Sequence, residues 1–358
     1  MNINSSIRRN YGIDLLKIVA MLMIVAGHVI LSGGVNDVVV KPEMRGTMAY
    51  CVVFGFRLVT ICAVNCFVLA TGYLYFGKKV KVSRAVELWL QMVFLSVSVL
   101  SVALACGYHP SSLDVVKTFL PLVTYHYWFM TQYFFLLLLI PILNRLVENV
   151  DGRFAVYAIV VLLFVFSVIP TATASAVVPV NGGYCVVWFA VLYLIGACVK
   201  KWNVERRLGL GMSATLFIVG YVGSFGVAVY GAFVGRFLPA AGGWLCFQYN
   251  SPFVLLEALS LFLFFAKTNI AGSVMQKMLA TISSLVFGVY ILHSNSVFRT
   301  AFHWNGHWSY IVEGHPLLII VKVIGVAFVI FAGACVVDYV RLRLFALVKS
   351  LIGRRLVI

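Results

Sequence analysis

The segment from Asp14 to His28, DLLKIVAMLMIVAGH, is mostly apolar yet carries an acid, a lysine and a histidine. Lys17 and His28 stand eleven residues apart. At about 100° per residue that is about 1100°, within about 20° of three full turns. A helix therefore sets both on one face, separated by about 16 Å along its axis. Asp14 and Met21 lie close to the same stripe. Ionisable groups are expensive in hydrocarbon and mark functional sites by default, and histidine is the side chain readiest to exchange protons near neutral pH. The competing readings are structural: Lys17 snorkelling to an interface, and a neutral His28 hydrogen-bonded to a neighbouring helix.

Other chemistry-bearing residues are scattered through the apolar stretches. Arg57 and Glu257 are each costly there unless they face a cavity or a partner, and are candidates to pair with each other or to contact a substrate. Asn65 and Gln132 suit either a substrate carbonyl or interhelical hydrogen bonding. The run KKVKVSR, 78–84, gathers Lys78, Lys79, Lys81 and Arg84, a phosphate-binding set or simply a loop that fixes topology. In HWNGHWSY, 303–310, His303 and His307 are four apart, but a metal site needs a third ligand and a helix that Gly306 disfavours, so none is expected. The tryptophans there read as interface anchors or as a platform for a sugar. Eight cysteines, mostly in apolar segments and without a CxxC pair, read as packing residues.

These residues need membrane helices to position them. The chain of 358 residues is 63% hydrophobic and 11% charged, against about 25% charged in a soluble domain, and its mean hydropathy is +1.03. The net charge of +16 does not point to nucleic acid, because the basic residues sit in short clusters between apolar runs. Ten segments are predicted to span: 13–31, 47–76, 85–106, 125–146, 154–171, 184–199, 210–233, 252–266, 279–298 and 317–344. The second and tenth are long enough to tilt or break. With the N-terminus cytoplasmic, 20 of the 27 Lys and Arg residues fall inside, and Lys41, Arg45, Arg57, Lys117, Arg236, Arg299 and Lys322 lie outside or in outer parts of spans. Both termini are thus expected in the cytoplasm. On that topology His109, His126, His303, His307 and His315 lie on outer loops or span ends, and His28 and His293 within spans. Proton chemistry is expected towards the outer face.

The ordered motifs carry a resemblance. A basic residue, ten residues of first span and then histidine resembles the signature of the membrane-bound acyltransferase-3 family. NCFVLATGYL, 65–74, is similar to its small-residue and phenylalanine run, with Thr71 in the place of a serine. Lys81-x-x-Arg84 looks like its paired basic motif, with lysine at the first place. YWFMTQYFFLLLLIPIL, 127–143, resembles its Trp-Phe opening and proline-interrupted ending of a middle span, and GVYILHSN, 288–295, its Tyr-x-x-His near the last spans. The resemblance covers nearly the whole chain.

It implies one all-α domain over 1–358, in a bacterial cytoplasmic membrane, moving an acyl group from cytosolic acyl-CoA, commonly acetyl-CoA, to a hydroxyl of a surface glycan or related acceptor. No permanently bound cofactor is implied. His28 is the candidate base or transient acyl carrier. Lys17, Lys81 and Arg84 are candidates for the phosphates of CoA, and Arg57, Glu257 and His293 for other substrate contacts. Some relatives carry an added hydrolase-like domain; none is expected here, so a direct acceptor or separate glycan-assembly proteins would complete the transfer. Two other readings stand beside this one: a transporter or flippase for a glycan or lipid-linked precursor, and a scaffold in which the Lys17 and His28 phase is accidental.

Overall fold

In a computed structural model the described residues are 9–174, 177–178, 180–234 and 245–355, and they contain helices and no strand. Arg8 and Arg236, counted above, lie outside them. The helices are α1 (Tyr11–Leu31), α2 (Val35–Val39), α3 (Met48–Thr60), α4 (Ala63–Tyr75), α5 (Ser83–Ala105), α6 (Ser112–Phe119), α7 (Trp128–Asn149), α8 (Gly152–Leu163), α9 (Ile169–Ala172), α10 (Val186–Trp202), α11 (Val204–Arg207), α12 (Leu210–Val234), α13 (Pro252–Lys267), α14 (Ser273–Ser294), α15 (Ser296–Ala301) and α16 (Leu318–Arg355). Among the described residues nine helical runs are long and apolar enough to cross a membrane. In hydrocarbon only intrahelical bonding satisfies a single segment's backbone, so the chain is an all-α, polytopic membrane protein. The sixth expected segment, 184–199, is not among these nine; it is α10, a 17-residue apolar helix.

The long segments resolve differently. Span 47–76 is two helices, α3 and α4, broken at Ile61 and Cys62. At the break the Thr60 hydroxyl donates to the Arg57 carbonyl at 3.2 Å and the Cys62 thiol to the Val59 carbonyl at 3.3 Å. Side-chain donors thus reinforce the carbonyls next to the break, the Arg57 carbonyl also accepting from the Ile61 N–H at 3.1 Å. The last span is instead one helix of 38 residues. Pro141 does not end the middle span: α7 runs through it to Asn149.

Two compact units divide the chain, and α1, α3, α5 and α14 each contribute to both. The first unit comprises Met1–Ile24, Gly55–Ala85 and Trp128–Ser283. In it α4 is buried from Ala63 to Tyr73. Its closest neighbour is α10: the missing Cβ of Gly72 lets the Tyr193 carbonyl in, and that of Gly196 admits the Leu69 carbonyl. Close backbone approach at small residues is how membrane helices gain contact. Gly220 and Gly223 of α12 do the same against Phe253 and Glu257 of α13. Lys201 closes the end of α7, donating to the carbonyls of Val147 at 2.8 Å and Val150 at 2.7 Å.

The second unit comprises Val25–Phe54, Val86–Tyr127 and Ser284–Ile358. Its α14 and α16 meet where Gly288 faces the Asp338 side chain. Asp338 is neutralised by Arg341, Nε to Oδ1 at 2.5 Å and Nη2 to Oδ2 at 3.0 Å, and accepts from Gln91 at 3.2 Å. Val99, Leu100 and Ala103 of α5 pack with Val297 of α15. Ser111 and Asp114 form a reciprocal capping box at the start of α6.

Candidate functional site

His28 and His293, 265 residues apart in the chain, meet in the second unit. His28 Nδ1 lies 2.9 Å from His293 Nε2, and His293 Nδ1 lies 2.6 Å from the Val289 carbonyl oxygen, one turn earlier on α14. A carbonyl only accepts, so His293 Nδ1 carries a proton and donates it to Val289. In the neutral ring His293 Nε2 is then an acceptor, and His28 Nδ1 must be its donor. That leaves His28 Nε2 bare, with its lone pair outward from the pair. The Ser294 hydroxyl stands 3.5 Å from His293 Nε2, a longer and weaker approach. His293 is 1% exposed and is the inner partner, whereas His28 is half-buried.

The residues that follow His293 in the chain are held as well. Asn295, two residues past His293, caps α15 by accepting from the Phe298 N–H at 3.0 Å. Its amide donates to the Tyr127 hydroxyl at 2.7 Å, which is 2.8 Å from the Ser96 hydroxyl. His126 is held as well, its Nε2 accepting from the Ser296 N–H at 3.1 Å and its Nδ1 meeting the Lys117 carbonyl at 3.2 Å. Burial lowers its pKa from the ordinary imidazole value. Sequence reasoning missed Asn295 and Tyr127; the signals were an asparagine at a helix start and a tyrosine before the Trp-Phe pair.

In the first unit Lys17 is half-buried on α1 and has no hydrogen-bond or ion-pair partner among the described residues. Asp14, one turn before it, is already engaged. Arg9 grips Asp14 at 2.5 Å and 3.1 Å, and the Ser283 hydroxyl donates to it at 2.7 Å. Because α1 is unbroken from Tyr11 to Leu31, the helical phase that sets Lys17 and His28 on one face applies. Lys81 and Arg84 are exposed at the turn that enters α5, where the Arg84 N–H donates to the Lys81 carbonyl at 3.0 Å.

Arg57 and Glu257 do not pair with each other. Arg57, 8% exposed, lays its guanidinium 3.9 Å over the Phe247 ring, a cation–π contact that partly offsets burial. Glu257 is fully buried and accepts from the Ser224 hydroxyl at 2.9 Å, its other oxygen unbonded. Asn65 is interhelical glue: it donates to the Tyr249 carbonyl at 2.7 Å and accepts from the Trp188 indole at 3.2 Å. Thr71 donates to the Phe67 carbonyl at 2.8 Å and is 3.0 Å from the Tyr133 hydroxyl. His303 and Gly306 both have positive φ, 50° and 77°, so His303 and His307 are not successive turns of a helix.

A family model described as an acyltransferase domain, that of the acyltransferase-3 family, matches residues 10–339. The chain belongs to this family. The match takes in both halves of the histidine pair, Lys17 and the Lys81–Arg84 turn. Membership makes the chain an acyltransferase of the membrane. No curated protein and no solved structure matches the acyltransferase.

Proposed function

We propose that the acyltransferase carries an acetyl group from cytosolic acetyl-CoA to a hydroxyl of a surface glycan or related acceptor, with His28 as the base. The observation that carries this reading is the hydrogen-bonded sequence Val289 carbonyl, His293, His28, which leaves His28 Nε2 as the proton-accepting atom. In the reaction Nε2 takes the acceptor's hydroxyl proton as its oxygen attacks the thioester carbonyl. The carbon–sulfur bond breaks, and the leaving CoA sulfur recovers that proton from the imidazolium. His293 Nε2 accepts from His28 Nδ1 throughout, which fixes ring orientation and favours the charged form, as an orienting acceptor does in a catalytic triad.

Lys17, Lys81 and Arg84 supply cationic contacts for the phosphates of CoA. Lys17 is the most specific of these, since it shares a face of α1 with His28. Arg57 and Glu257 belong to the acceptor side in this reading. Both termini face the cytoplasm of a bacterial cell, as the distribution of Lys and Arg favours.

The test uses membranes holding equal amounts of wild type and His28→Ala protein, given CoA carrying a labelled acetyl group. Label entering the glycan fraction and free CoA are followed together. Loss of both in the variant, with the protein still folded, is expected; equal signals from the two proteins would remove His28 from the reaction.

A further inference from the structure

Arg299 of α15 is a half-buried cation, with two of its guanidinium nitrogens buried and unused. Its Nε and Nη2 have no hydrogen-bond acceptor, and the indole N–H groups of Trp304 and Trp308 are buried in the same condition. No carboxylate among the described residues pairs with Arg299. Guanidinium stays charged at any physiological pH, and leaving it buried without an anion is unfavourable. Four orphan donors within ten residues of chain therefore call for an acceptor that this segment does not supply.

The segment is firmly built. Trp304 is 5% exposed, and its backbone N–H donates to the Arg299 carbonyl at 3.0 Å. Gly306 donates to the Ser32 carbonyl at 3.0 Å and Trp308 to the Gly33 carbonyl at 2.8 Å. Those carbonyls follow His28 by four and five residues, so the segment is tied to the His28 end of α1. Gly34, with φ of 94°, lets Gly306 close against it. The charge of Arg299 acts on both His28 and His293. The Trp308 ring has Trp304 at 6.2 Å, His307 at 4.7 Å and Tyr310 at 6.2 Å between ring centroids, with His307 and Tyr310 exposed.

We infer that Arg299, with the indoles of Trp304 and Trp308, is a binding site for a carboxylate carried by the acyl acceptor, which is accordingly an acidic sugar. Nε and Nη2 form one edge of the guanidinium, a fork that matches the two oxygens of one carboxylate. The neighbouring aromatic rings suit the apolar face of a sugar, the usual combination of apolar lining and a few fixed polar groups in a small-molecule site. Phosphate also fits the fork. The donor's phosphates, however, have their candidate partner in Lys17, near the opposite end of α1. Naming the ligand an acceptor rests on the acyl-transfer reading; its binding can be measured without it.

The full chain, purified into nanodiscs without any acyl donor, is titrated with glucuronate, glucose and inorganic phosphate while tryptophan fluorescence is followed. Glucuronate is expected to bind saturably, and glucose at least about tenfold more weakly, as loss of a charge-assisted pair implies. R299Q should abolish that preference, R299K should keep the charge but lose the fork and fall between, and W308F should weaken glucuronate severalfold while keeping the ring. Equal affinity for glucuronate and glucose, or an R299K protein that is folded and binds like wild type, would overturn the inference. Phosphate binding as tightly as glucuronate would overturn the acidic sugar. Because no donor is present, a wild type that transfers acetyl but does not prefer glucuronate refutes this site alone.

Discussion

Removing His293 should disable His28 without removing it. In the structure His28 Nδ1 has one acceptor, His293 Nε2 at 2.9 Å, and that acceptor is itself oriented by the Val289 carbonyl at 2.6 Å. His293→Ala deletes the acceptor, so the His28 ring is free to rotate and to place its proton on either nitrogen. The lost hydrogen bond strengthens when His28 becomes imidazolium, and bonds to charged groups are worth about 1.5–3 kcal/mol. At about 1.4 kcal/mol per factor of ten, kcat should fall about 10- to 150-fold. His28→Ala removes the base itself, a loss of about 10²–10⁴. His293→Gln offers an amide oxygen to Nδ1–H and should recover part of the rate. The assay is release of free CoA from acetyl-CoA by equal amounts of protein in nanodiscs, with KM for acetyl-CoA measured alongside. KM should hardly move, since His293 touches His28 rather than the donor. The double variant should be no slower than His28→Ala, because residues acting as one unit are not additive. A double variant slowed by the product of the two single losses would mean the histidines work independently, and would refute the reasoning.

Lys17→Ala should raise KM for acetyl-CoA about tenfold with kcat little changed, while Lys17→Arg keeps the affinity, since one charge-assisted contact to phosphate is at stake; initial rates at varied donor decide it. Gly196→Leu drives a side chain into the Leu69 carbonyl and should cost at least about 2 kcal/mol, seen as a lower melting temperature in detergent. Burial holds His126 below its ordinary pKa of 6.5, so the unfolded chain binds this proton more readily. The stability it carries is complete above that value and is lost as pH falls through the lower folded one. Wild type should therefore exceed His126→Gln in melting temperature at about pH 7.5, and the gap should narrow by about pH 5; a gap independent of pH would contradict this.

The spans, the shared face of Lys17 and His28 and the family were legible because each is local or ordered along the chain. Periodicity and motif spacing need no knowledge of which helix touches which. The contact between His28 and His293 is of another kind: both residues were singled out, yet their meeting depends on how α1 and α14 pack. The same limit left open whether Arg57 and Glu257 pair with each other. Opposite charges in apolar spans need local stabilisers, and the Phe247 ring lies under the Arg57 guanidinium while the Ser224 hydroxyl donates to Glu257. Lys201 and Lys267 were read only as topology charges. They also close helix ends, Lys267 donating to the Leu208 carbonyl at 2.9 Å, because an ammonium near a C-terminus finds unbonded carbonyls.

Two classes of buried charge coexist in the chain, and they should respond oppositely to neutralisation. Asp338 is closed: Arg341 and Gln91 meet it, and it is fully buried. Asp338→Asn would leave Arg341 with an unpaired charge, at a cost of about 3–5 kcal/mol. Among the described residues no carboxylate pairs with Lys17 or Arg299, so in the empty protein their charges are a burden. Lys17→Met should then leave thermal stability unchanged or raise it, while weakening the donor, as happens when a functional site is held at the expense of stability. Melting curves without substrate separate the two cases. If Lys17→Met destabilises as much as Asp338→Asn, Lys17 is a structural charge with a hidden partner and not a waiting contact for an anion. If the order is as expected, the fold neutralises its structural charges internally and leaves open the cations to which its substrates bring negative charge.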